Sequence, residues 1–165
     1  MTSARIATRL ITLAAVALLT MAADLVPDDQ QAPGAINAAV TQANIAETIC
    51  ARGWSERVRP PLSFTEPIKR RLLGAGADQF ELDHRVPIEV GGCPDCVSNL
   101  WLQPWRDPRH HACNPDVMLD AACKDELENA VRRRICSGRM TLAQGQAIFL
   151  GDWTAGFAAL RQGDD

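Results

Sequence analysis

Phe80-Glu81-Leu82-Asp83-His84-Arg85-Val86-Pro87-Ile88-Glu89-Val90-Gly91-Gly92 is the stretch on which the fold turns. Phe80, Leu82, His84, Val86 and Ile88 would lie on one side of an extended chain, and Glu81, Asp83, Arg85 and Glu89 on the other. That period of two predicts a strand over 79–90, broken at Pro87, which has no N–H for a ladder. Gly91-Gly92 predicts a turn, and 97–103 predicts a second short strand.

Downstream, 107–119 is a loop carrying Pro108, Pro115, His110, His111 and Cys113. Asp120 is placed to cap a helix running to 134, with Leu127, Val131 and Ile135 on its buried face. Ser137-Gly138 stops it. Thr141 caps a further helix to about 150, and Asp152-Trp153 leads into a last one ending near 161. Upstream, Arg59-Pro60-Pro61 must be extended. Ser63-Phe64-Thr65-Glu66 reads as a capping box, with Pro67 in the first turn of a helix over 66–73. Before that, 24–44 is rich in Ala, Gln, Pro and Asp and reads as a flexible leader, with a short helix over 36–46 as its one candidate element.

The first 23 residues read as a secretory signal peptide: Arg5 and Arg9, then an apolar run over 10–21 too short to span a bilayer, then Ala22 and Ala23 before Asp24. Cleavage is expected after Ala22 or Ala23, releasing an exported protein, periplasmic or secreted, with no stable membrane association. The whole chain has 165 residues, 47% of them apolar and 22% charged, which is the composition of one globular domain. Collagen, coiled coil and multi-pass membrane protein are excluded. Losing residues 1–23 leaves 15 basic side chains against 20 acidic, a net charge of −5. Such acidity argues against nonspecific coating of nucleic acid, although Arg52, Arg57 and Arg59, then Lys69, Arg70 and Arg71, then Arg132, Arg133, Arg134 and Arg139 leave room for local basic surfaces.

Cys50, Cys93, Cys96, Cys113, Cys123 and Cys136 follow the cleavage site, an even number in an exported chain. Disulfides are therefore expected, and six cysteines allow 15 pairings among which the sequence does not choose. The alternative is a zinc site formed by Cys93, Cys96, Cys113 and Cys123, although nine residues separate the second pair.

The segment Glu81-Leu82-Asp83-His84-Arg85-Val86-Pro87-Ile88, then Gly91-Gly92, then Asn99-Leu100-Trp101, resembles the HNH nuclease superfamily and its ββα-metal motif. The likeness extends to small exported bacterial HNH-like proteins. They share an upstream Arg59-Pro60-Pro61, Ser63, Thr65, Lys69 pattern and a downstream Lys124-Asp125, Leu127-Glu128 helix. Their tail is approximated by Cys136-Ser137-Gly138, Gln144-Gly145-Gln146 and Asp152-Trp153, so the likeness covers most of 48–153. It implies an α+β single domain over 45–165, built on a ββα-metal unit flanked by helices and stapled by disulfides.

The resemblance also implies roles. His84 would be the general base that activates water, Asp83 a ligand of a divalent metal, and Asn99 the residue that holds the inter-strand loop and orients His84. The physical logic is independent of the name: phosphodiester hydrolysis needs a base near neutral pH, an electrophile on the phosphate and charge neutralisation at the leaving oxygen. Mg²⁺ is the expected ion, with Mn²⁺, Zn²⁺ and Ni²⁺ as alternatives. Asp83 and His84 are adjacent, so regular alternation would send them to opposite faces, and a strand end or bulge is expected to re-aim one.

The chain departs from the pattern at Ala122, where relatives often carry a metal-binding His. His111 is the choice for the missing ligand, with Asn114, Asp116 and Asp120 as oxygen-donor alternatives. Lys124 and Arg85 are the candidate contacts to a phosphate backbone, while Asp125 and Glu128 are expected to pair with arginines of the same helix. Trp54, Trp101, Trp105 and Trp153 read as core or covering residues. The expected function is metal-dependent endonuclease action on DNA with little sequence preference. The alternative is an exported binding or structural protein that keeps the scaffold without turnover.

Overall fold

The structure, a computed structural model, describes residues 32–73, 80–105, 113 and 120–162. The expected signal peptide over 1–23, the rest of the expected leader before Ala32, and His110, His111, Asn114 and Asp116 lie outside the described residues. No helix among the described residues is long and apolar enough to cross a membrane.

The fold is α+β, with mixed helices around a two-stranded sheet. Strand β1 (Phe80–His84) pairs antiparallel with β2 (Leu100–Pro104), Phe80 facing Pro104 and His84 facing Leu100. Both strands are shorter than the alternation predicts. The side chain of Asn99 captures the Val86 backbone, Pro87 offers no N–H, and Ile88–Val90 tightens into a 3-10 turn. A second 3-10 turn, Val97–Asn99, feeds β2. Ile88 and Val90 still reach the core, but on a turn rather than a strand.

Five helices among the described residues complete the fold. Helices α1 (Trp54–Val58) and α2 (Leu62–Leu73) precede the sheet, and α3 (Ala121–Cys136), α4 (Leu142–Leu150) and α5 (Trp153–Gln162) follow it. Asp120 caps α3, its Oδ1 accepting from the Cys123 N–H at 3.1 Å. Thr141 and Gln144 form a capping box on α4. Helix α2 corrects the sequence reading: it starts one turn early, at Leu62, so Pro67 falls inside it and removes one intrahelical hydrogen bond. The core gathers Ile49, Val86, Ile88 and Val90 against Leu127, Val131 and Ile135 of α3, Phe149 of α4 and Phe157 of α5. Each such side chain, fully buried, contributes about 1.5–3 kcal/mol. Trp54, Trp101 and Trp153 are buried as expected, whereas Trp105 is 49% exposed.

Residues 32–44 correct the leader reading. Ala32 and Val40 are buried, Ile36 forms a bridge with Gly92, and the Cys93 N–H donates to the Ala35 carbonyl at 2.8 Å. Gln42 accepts from the Leu142 N–H at 2.7 Å, tying the segment to the start of α4. Alternating small and apolar residues suit such an edge, but no amphipathic period announces it. The short helix expected at 36–46 is only a 3-10 turn, Gln42–Asn44.

All six cysteines are oxidised: Cys50–Cys136, Cys93–Cys96 and Cys113–Cys123. The zinc alternative is thereby overturned, since both central pairs are spent on disulfides. Loop-closure entropy makes Cys50–Cys136, spanning 86 positions, the strongest staple, at about 4–5 kcal/mol, against about 2–3 kcal/mol for the others. Three disulfides suit an oxidising, extracellular setting.

Candidate functional site

Asn99 organises the loop between the strands. It is completely buried, and its amide is fully used. Oδ1 accepts from the Val86 N–H at 2.9 Å and the Ala35 N–H at 3.1 Å, while Nδ2 donates to the carbonyls of Val86 at 3.0 Å and Cys93 at 2.9 Å. One side chain thus joins the end of β1, the disulfide loop and the 32–44 segment. Asparagine alone offers two donors and two acceptors on so short a stem. The loop closes on Gly91, at φ +81°, and on Gly92, where an added Cβ would stand 1.8 Å from the Val86 carbonyl oxygen.

His84 closes β1. It is 5% exposed, and its Nε2 lies 2.8 Å from the Pro94 carbonyl oxygen. A carbonyl only accepts, so Nε2 carries the proton and Nδ1 keeps its lone pair. Burial holds the imidazole below its ordinary pKa, against the opposing pull of the Pro94 carbonyl and the Asp83 charge. Neutral imidazole with one nitrogen fixed and the other basic is the form a general base needs.

Asp83 turns the other way. The β1–β2 register is regular through His84, with no bulge, so neither residue is re-aimed as expected. Asp83 Oδ2 instead accepts from Lys124 Nζ of α3 at 2.6 Å. Lys124 is wholly buried and donates also to the His84 carbonyl oxygen at 2.9 Å and to Glu128 Oε1, one helical turn along. Burial alone would lower the lysine pKa, but the charges of Asp83 and Glu128 overcome it and leave it above the ordinary value. Glu128 is pushed upward, first by burial and then by Asp83, with Lys124 opposing. Glu81, two residues before Asp83, is raised to about 7 by burial and by the charges of Asp83 and Asp125. Asp125 is raised by the same two influences, burial and Asp83.

These positions correct three expectations. Lys124 cannot meet a phosphate, because its ammonium is sealed and every proton on it is used. Arg85 is a structural tie: Nε donates to the Phe149 carbonyl at 3.0 Å, Nη2 to the Gly151 carbonyl at 2.9 Å, and its guanidinium lies over Trp101. Glu128 pairs with Lys124 rather than with an arginine. The cation near this group that is not among the candidate site residues is Arg59. It is 52% exposed on its side chain, bridges Glu89 at 3.5 Å, and acts electrostatically on His84, Glu81 and Asp125. Its place beside Pro60-Pro61, a rigid extended pair, is the only signal of this in the sequence.

The described residues do not by themselves fit a divalent ion at Asp83. One oxygen is taken by Lys124, and no group of three His, Cys, Asp or Glu ligand atoms among the described residues includes it. The groups that do gather are Cys93, Asp95 and Cys96, and Cys113, Asp120 and Cys123, and in both the sulfurs are locked in disulfides. No protein-family model, curated protein or solved structure matches this chain.

Proposed function

We propose that the chain is an exported endonuclease that hydrolyses phosphodiester bonds of DNA, with His84 as the base that activates water and Arg59 as the cation at the rim that meets the phosphate. The observation that carries this reading is the His84 imidazole: buried, held neutral, and tied through Nε2–H to a backbone carbonyl. Burial keeps the ring uncharged, its Nδ1 lone pair stays available, and fixed orientation is what proton abstraction requires. Asn99 supports it by locking the loop that presents Pro94. Export rests on the 1–23 segment together with three disulfides. Dependence on Mg²⁺ or another divalent ion rests on the resemblance alone, and at Asp83 an ion competes with Lys124.

One observation favours a second reading, a scaffold that binds without turnover: Asp83, the metal ligand of the resemblance, is already neutralised from within. The test is nicking of supercoiled plasmid by the oxidised protein, in Mg²⁺, Mn²⁺, Zn²⁺ or EDTA, beside His84→Ala. Nicking that His84→Ala loses by 10²-fold or more supports the endonuclease. Equal nicking by both proteins overturns the role of His84, and no nicking under any condition overturns the endonuclease in favour of the scaffold.

A further inference from the structure

Lys124 Nζ sits among three oxygens: Asp83 Oδ2 at 2.6 Å, the His84 carbonyl at 2.9 Å and Glu128 Oε1. Two carboxylates and a backbone carbonyl are the donor set that hard divalent cations take. An ammonium has three protons, and each is spent on one of these oxygens. The Phe149 ring lies 5.6 Å from Nζ and helps close the pocket from the apolar side. Lys124 is wholly buried, while the Asp83 and Glu128 side chains keep 17% and 12% of their exposure.

We infer that the Lys124 ammonium is the resident cation of a metal-like oxygen pocket: it stands where Asp83 would hold a divalent ion, it keeps the native chain from binding one through Asp83, and its removal turns Asp83, Glu128 and the His84 carbonyl into a site for Mn²⁺ or Mg²⁺. A tethered ammonium has the advantage of permanence, since it neither dissociates nor responds to chelators. It also fixes the backbone of His84 through the carbonyl, so the pocket positions the base without touching substrate. With both carboxylates ionised, the ammonium leaves the pocket at a net charge of −1, and a divalent ion, which also favours the ionised form of the raised Glu128 carboxyl, would make it neutral. The vacated pocket therefore has an electrostatic reason to fill. The raised pKa of Lys124 agrees with a cation that stays charged.

The inference concerns binding and does not depend on DNA cleavage, so a native chain that cleaves nothing leaves it standing. The test is Mn²⁺ titration of the full, oxidised protein at pH 7, followed by electron paramagnetic resonance of the free ion. The native chain and Asp83→Asn are expected to bind Mn²⁺ alike. Lys124→Ala is expected to gain one site at least 10-fold tighter than any in the native chain, and Lys124→Ala/Asp83→Asn to lose it. Where Lys124→Ala does not fold alone, Mn²⁺ is expected to restore its helical circular dichroism. A native site that Asp83→Asn abolishes overturns the inference. So does a Lys124→Ala chain that Mn²⁺ neither binds nor refolds.

Discussion

His84 donates a hydrogen bond from Nε2–H to the carbonyl of Pro94 across 2.8 Å, and Pro94 lies inside the four-residue ring closed by the Cys93–Cys96 disulfide. The orientation of the imidazole is therefore held by a covalent loop that Asn99 anchors through the Cys93 carbonyl. Opening that ring should separate stability from activity. Loop entropy assigns so short a disulfide about 2 kcal/mol, too little to unfold a domain that keeps Cys50–Cys136. Cys93→Ala/Cys96→Ala is expected to remain folded by thermal melt yet to nick plasmid 10- to 100-fold more slowly, because a misplaced base loses far more rate than stability. Unchanged nicking would show that Pro94 does not set the ring.

The pH profile follows from the direction of the His84 shift. Burial lowers its pKa beneath the ordinary 6.5, so the imidazole is neutral, and basic, throughout the neutral range. Nicking is expected to be flat above pH 6.5 and to fall about tenfold per unit only once pH drops below the lowered value. Stability moves in the same sense. The unfolded chain takes up the proton at 6.5 while the folded one resists, so stability is lost as pH falls from 6.5 toward the folded value. Parallel rate and melting profiles from pH 4.5 to 8 check both. A rate that declines already above pH 7 would contradict a neutral His84.

Much of the helical part of this fold is legible in the sequence. Asp120 and Thr141 cap the helices expected of them, and Leu127, Val131 and Ile135 face inward at helical spacing. The alternation overextends the strand because Val86 and Ile88 continue it after the backbone has turned. Burial, not strand geometry, is what keeps those positions apolar. The edge formed by residues 32–44 left no periodic trace, since it is held by backbone hydrogen bonds that any residue type supplies. At the site, Asn99 and His84 stand where spacing puts them, within one buried network. Lys124 reads as a phosphate contact in the sequence because lysine is seldom fully buried. Only its partners Asp83 and Glu128, one of them far away in sequence, make burial affordable.

Asn99 is expected to be the least replaceable residue of the loop. Asn99→Ala orphans the Val86 N–H and C=O, the Ala35 N–H and the Cys93 carbonyl in or beside a buried site. Each unsatisfied buried group costs about 1–3 kcal/mol, so a total loss of about 3 kcal/mol or more is expected by urea unfolding. Asn99→Asp keeps the two acceptor bonds but removes both donors and adds a buried charge, and should be no better. A loss below 1 kcal/mol for Asn99→Ala would mean that the loop is held elsewhere.

Glu81 should behave oppositely, as a residue the fold tolerates at a cost. Its carboxyl is raised from 4.5 to about 7 by burial and by Asp83 and Asp125. Below pH 4.5 folded and unfolded chains both hold the proton. As pH rises through 7 the unfolded chain has ionised freely while the folded one must ionise beside two carboxylates, so stability is lost over that window. Glu81→Gln removes the penalty. Allowing for solvent screening of a half-buried group, the gain at pH 8 is about 1 kcal/mol. In a chain of this size that is a melting temperature about 2–4 °C higher. At pH 4 the two proteins should melt together. A Glu81→Gln chain less stable than the native one at pH 8 would instead give Glu81 a bound cation as partner, and would place the missing positive charge of this acidic face outside Arg59 and Lys124.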